Sequence, residues 1–226
     1  MSHRAGSGLA AAAVLVLATF GAQVHSAAAP AQSCRGHAAT IVGTGGNDVL
    51  KGTNGPDVIV GLAGNDTIRG LAGKDIICGD DGNDHLLGGR GADITTGSQG
   101  TDRVAGGRGR DALRGGEGSD VVLGGLGKDK MSGGAGDDLL KGGRKADRLS
   151  GGADNDTLNG GWGNDHVYGS LGDDTLIAGR GADHLSGGGG NDNLNALDGV
   201  GDDSLRGGDG TDTCAVDPGD TVRGCP

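Results

Sequence analysis

Residues 124–132 read GGLGKDKMS, and the nine-residue frame they set decides the fold. The glycines permit the positive φ angles of a tight turn, Asp129 closes that turn, and Lys130-Met131-Ser132 can form a short strand. Only Met131 is apolar in that strand, and strand alternation points it inward. Working outward, an Asp stands at every ninth residue: Asp48, Asp57, Asp66, Asp75, Asp84, Asp93, Asp102, Asp111, Asp120, Asp129, Asp138, Asp147, Asp156, Asp165, Asp174, Asp183 and Asp192. A two-residue insertion at Val200-Gly201 follows, and the frame resumes at Asp203 and Asp212, making nineteen units in all.

The slot two residues after each Asp is filled from Leu50 to Leu205 by Leu, Ile, Val or Met, with Thr95 and Cys214 as exceptions. Each turn plus strand reverses the chain, so two units complete a coil and coils stack by parallel pairing at ~4.8 Å. The expected fold class is all-β: a right-handed parallel β-roll, or β-solenoid, of about nineteen nonapeptide half-coils. The domain reading follows the frame: residues 1–29 a cleaved signal peptide, 30–42 an N-terminal cap, 43–215 the roll, and 216–226 a C-terminal cap. A ladder of carboxylates set in glycine turns supplies oxygen ligands to hard cations, Ca²⁺ foremost.

Composition supports a positional reading. Gly contributes 54 of 226 residues and the aromatics are Phe20, Trp162 and Tyr168, which excludes an ordinary globular core. Of 30 acidic residues only Glu117 is a Glu, so the acidity is placed rather than generic. A net charge of −11 argues against nucleic acid or anionic membrane as partner. His3 and Arg4, the apolar run from Leu9 to Phe20 and the small residues Ser26 to Ala29 read as an export signal, so a secreted, extracellular monomer without membrane insertion is expected. Cys34, Cys78, Cys214 and Cys225 allow two disulfides in three pairings; Cys34–Cys78 with Cys214–Cys225 would staple each end to its nearest repeat.

Units such as GGLGKDKMS, GGEGSDVVL and GGAGDDLLK resemble the calcium-binding nonapeptides of the repeats-in-toxin, or hemolysin-type, proteins. The resemblance implies that multiple Ca²⁺ ions sit between turns of adjacent coils, held by the aspartates of both turns and by turn carbonyls. Asp48 would then share an ion with Asp66, Asp57 with Asp75, and so on at 18-residue steps through the nineteen ladder aspartates, giving at most seventeen inter-turn sites. Fewer would fill, because Lys145 and Asp154 replace the second-half glycine of their turns and Ala178 and Ala196 the leading one. The N-terminal signal departs from the C-terminal export signal common in that family.

No catalytic constellation is visible, HExxH is absent, and no enzymatic activity is expected. Three roles remain: a secreted calcium-binding protein whose folding depends on Ca²⁺, an adhesin or cell-wall module in which Ca²⁺ is structural, and an accessory to a secreted enzyme. Alternate units differ: one set places Asn47, Asn65, Asn83 and their equivalents before the ladder Asp, the other carries Lys74, Arg90, Arg108, Arg110, Lys128, Arg144 and Arg180. That cationic edge is either charge balance or a strip for an anionic polysaccharide. His166 and His184 should be outward neighbours near Tyr168, incidental or a Zn²⁺ or Cu²⁺ site, and Trp162 is a candidate contact aromatic in a turn.

Overall fold

The computed structural model describes residues 32–225, so the signal-peptide reading lies outside the described residues. Every regular element among them is a β-strand. Two parallel sheets of ten and eleven strands face each other, and alternate half-coils go to alternate sheets. Val104 pairs with Leu86 on one side and Val122 on the other, the 18-residue step of a two-unit coil. The insertion lengthens one step without breaking it, since Leu185 pairs with Leu205.

Between the sheets lies a column of single side chains, from Ile41 through Leu50, Ile59 and Ile68 to Leu205. Thr95 occupies the same slot, fully buried with its hydroxyl unpartnered. Most strands have six residues rather than the three the frame suggested. In Lys130–Ala135 the strand runs on through Gly133 and Gly134, where Gly134 takes a positive φ of +137° and pairs with Gly116. The leading glycine of each unit thus faces the interior, where Ala178 and Ala196 add their methyls to the core. The reversal itself is made by only about three residues.

The stack also runs past the 43–215 frame. Ile41–Val42 pairs with the Val58–Ala63 strand although no glycine motif precedes it, and Thr221–Arg223 pairs with Ser204–Asp209 after Gly219-Asp220, whose carboxylate accepts the Asp203 N–H at 3.1 Å. A hairpin of Ser33–Cys34 and His37–Ala38 folds over the outer face of the eleven-stranded sheet. There Cys34, Val60 and Cys78 form a second small core, closed by the Cys34–Cys78 disulfide with Cα atoms 5.8 Å apart. Cys214–Cys225, at 6.0 Å, ties down the other end. The insertion forms a loop whose Asp198 and Gly199 N–H groups donate to Asp217.

Where the sequence abandons the second glycine of a unit, inside the strand, the backbone does not follow. Ser98 holds φ at +103°, a region that costs an L-residue about 1–2 kcal/mol. Ser98→Gly is therefore expected to stabilise the folded protein by up to about 1 kcal/mol, after the entropy glycine adds to the unfolded chain. A rise in thermal midpoint in saturating Ca²⁺ checks this; a fall would contradict the stored strain.

Candidate metal centre

All nineteen ladder aspartates are buried, because each closes a turn that is covered by the turns of neighbouring coils. Their carboxylates form two continuous ladders, one per edge. The Asp66 N–H donates to Asp84 Oδ1 at 2.7 Å, Asp120 to Asp138 at 2.7 Å, and Asp147 to Asp165 at 2.6 Å. The ladders cross the insertion, with Asp183 donating to Asp203 at 2.7 Å and Asp192 to Asp212 at 2.9 Å. The 18-residue partners expected from the sequence are thus in direct contact.

One carboxylate oxygen per turn is used in this way, and the other is not. In seventeen aspartates, Asp66 to Asp212, Oδ2 is buried with no hydrogen-bond partner. An orphaned buried acceptor costs about 1–3 kcal/mol, and more when charged. Seventeen such oxygens in register do not form in a stable roll unless something satisfies them. Asp48 and Asp57 differ: the Thr44 N–H and hydroxyl hold Asp48 Oδ2 at 2.6 and 2.9 Å, and Thr53 does the same for Asp57 at 2.6 and 3.0 Å. The first turn on each edge is satisfied by its own threonine.

The orphan oxygens face a shaped gap. A Cβ built on Gly61 would collide with Asp66 Oδ2 and with the Gly79 carbonyl of the next coil, at 2.6 Å. The same collision with a carboxylate and a carbonyl recurs at Gly97, where the Gly115 carbonyl lies at 2.7 Å. The missing side chain lets two oxygens from successive coils converge, a donor set suited to a hard cation such as Ca²⁺. Among the described residues no three His, Cys, Asp or Glu side chains cluster as a self-sufficient metal site. A shell here must therefore draw on carbonyls. Ala178 replaces one leading glycine, yet Asp183 Oδ2 is orphaned like the rest. Turns with Lys145 and Asp154 keep positive φ, at +85° and +72°, so they retain the common geometry.

Burial raises the ladder carboxyls from Asp66 to Asp203 above the usual Asp value, against the backbone N–H bond that lowers them, and in most of them a neighbouring carboxylate adds to the rise. Asp102, Asp120, Asp147 and Asp156 are pushed up to about 7, and Asp66, Asp75, Asp93 and Asp111 to about 6. In an ion-free roll the folded state then holds protons that the unfolded chain, with Asp near 3.9, releases. That proton-linked stability is complete below about pH 4 and is lost as pH rises through 6 to 7. Metal-free protein should gain β signal when acidified from pH 7.5 to 5; a loss of signal over that range would contradict the linkage.

The two edges are braced differently. On one, Asn65 N–H donates to Asn47 Oδ1 at 2.8 Å, Asn83 to Asn65 at 2.8 Å and Thr101 to Asn83 at 2.8 Å, an amide ladder beside the carboxylates. It resumes from Asp137 through Asn155 and Asp173 to Asn191 and Thr211. The sequence showed the asparagines without their job; their 18-residue recurrence was the available signal. On the other edge Arg90, Arg108, Arg144 and Arg180 end their strands in the ten-stranded sheet, and Trp162, expected in a turn, ends the strand Thr157–Trp162 among them. His166 and His184 are paired neighbours with ring centroids 5.8 Å apart and Tyr168 beside them, two imidazoles without a third side-chain ligand of that kind. All four cysteines are in disulfides.

A family model described as the RTX calcium-binding nonapeptide repeat matches the chain eight times, over residues 42–77, 51–86, 63–95, 70–102, 96–131, 132–167, 168–200 and 197–222. No curated protein matches the chain.

Proposed function

The chain belongs to the RTX calcium-binding nonapeptide repeat family, and on that premise we propose that calcium held between its stacked turns is what folds it, outside the cell. The observation that carries this reading is the set of seventeen buried, unpartnered Asp Oδ2 atoms. Many of them lie near the backbone carbonyl of the next coil's leading residue, as Asp66 does near Gly79 and Asp165 near Ala178, which supports a shared ion. Bound Ca²⁺ supplies positive charge and a bridge between coils. The protein contributes turns already curled around the gap, one carboxylate oxygen anchored to a backbone N–H, and an interior that excludes water from the other.

Export fits this chemistry. A chain short of calcium in the cytoplasm would stay unfolded for passage and fold where Ca²⁺ is abundant, with sites in the ~10⁻⁴–10⁻³ M range of extracellular modules. Two disulfides suit an oxidising compartment. Among the described residues no helix is long and apolar enough to cross a membrane. The roll is a structural calcium-binding module, and no enzymatic step is assigned to it. An adhesin or cell-wall role is the second reading, favoured by the arginine column of the ten-stranded sheet.

Native mass spectrometry of the mature protein tests the calcium reading. Several ions per chain are expected in millimolar Ca²⁺, up to the seventeen gaps. A chain that stays ion-free overturns it.

A further inference from the structure

We propose that the cationic edge of the roll is a docking site for an acidic polysaccharide lying along the stacking axis. The proposal rests on the calcium reading, since only ion-neutralised ladder carboxylates leave that edge positive. The last residues of successive strands in the ten-stranded sheet stand in one register column: Arg90, Arg108, Leu126, Arg144, Trp162 and Arg180. At parallel-strand spacing this column spans about 24 Å. Two open hollows of about 480 and 620 Å³ meet at Leu126, the first lined by Arg90 and Arg108, the second by Arg110, Lys128 and Lys145. The protein as a whole is acidic, at −11, so a continuous basic strip is a local exception.

Two of the column's guanidinium groups are held in place. Arg144 and Arg180 flank Trp162 in the column and lie 5.0 and 5.3 Å from its ring centroid, stacking on the indole from the two sides. Among the described residues, the arginine side chains that donate hydrogen bonds are Arg35, to Thr96, and Arg148, to Tyr168, neither on this edge. The column's donors are therefore free for a ligand, and they do not reach the ladder carboxylates beneath them. The equivalent column of the eleven-stranded sheet holds Asp81, Gln99 and Glu117.

A row of planar forks along a line fits a linear polymer with carboxylates at intervals, which arginine grips with paired hydrogen bonds. Single-stranded nucleic acid would need open aromatic faces for its bases. Here the one aromatic in the column has arginines on both sides.

Calorimetric titration of the Ca²⁺-loaded protein with hyaluronan oligosaccharides tests this, with dextran, oligo(dT) and phosphatidylserine vesicles as comparison ligands. Circular dichroism on the same samples reports folding. Hyaluronan should bind and dextran should not. Replacing Arg90, Arg108, Arg144 and Arg180 by Gln should weaken binding on the order of tenfold or more. The charge-matched set Arg69→Gln, Arg103→Gln, Arg114→Gln and Arg206→Gln, on the sheet faces, should change it less than about twofold. Trp162→Ala should weaken it about threefold by releasing its arginines. A folded, loaded roll that ignores hyaluronan overturns the proposal, as do equal losses in the two arginine sets or tighter binding of oligo(dT) or vesicles. Failure of the calcium reading would show separately, as a fold indifferent to Ca²⁺.

Discussion

Adding EGTA to the mature protein is expected to abolish most of its far-ultraviolet β signal, and excess Ca²⁺ to restore it. The core is a single file of modest side chains, with no aromatic residue in it. Against it stand seventeen buried carboxylate oxygens without donors. Rows of carboxylates at strand spacing also repel by about 0.9 kcal/mol per neighbouring pair even at the dielectric of water. Removing the bridging cation restores both penalties in every coil at once, so the loss should be cooperative. Mg²⁺ should restore the fold poorly, because it demands near-octahedral geometry and gives up its water reluctantly. A folded spectrum unchanged by EGTA would show that the roll stands without metal.

Asp120→Asn should damage the protein far more than Asp48→Asn. Asp120 lies mid-stack: its Oδ1 accepts from the Asp102 N–H, its own N–H donates to Asp138, and its Oδ2 is orphaned. An amide can keep the Oδ1 bond but brings no charge to either adjoining gap. The expected result is a loss of up to two bound ions and about 1–3 kcal/mol of stability, read as a higher Ca²⁺ midpoint for folding. Asp48 already has Thr44 on its Oδ2, so its replacement should leave the ion count nearly unchanged. Equal effects at the two positions would contradict the distinction drawn from their hydrogen bonds.

Much of this was legible in the sequence because the period is strict. A nine-residue Asp frame with one inward aliphatic per unit admits few architectures, and the stacked pairs at 18 residues follow from it. What stayed hidden depended on how neighbouring coils meet. Gly133 and Gly134 read as turn residues, yet pairing with the coil before carries the strand through them, Gly134 keeping its positive φ. Ile41 adds a strand at one end although nothing around it carries the motif, because an open sheet edge and an apolar slot suffice to recruit it, whereas Val222 follows Asp220, which continues the ladder from Asp203 one residue short of the nine-residue frame. Thr44 and Thr53 look like ordinary glycine replacements until their hydroxyls are found on the ladder. Arg144, Trp162 and Arg180 become a stack only when register brings them side by side.

Calcium titration of the metal-free mature protein, with bound ion counted by equilibrium dialysis and folding by circular dichroism on the same samples, tests the folding role most directly. The two curves should rise together, steeply, with several ions taken up per chain as the β signal appears. A β signal complete before any ion binds, or ions taken up by a chain whose spectrum never changes, would contradict it.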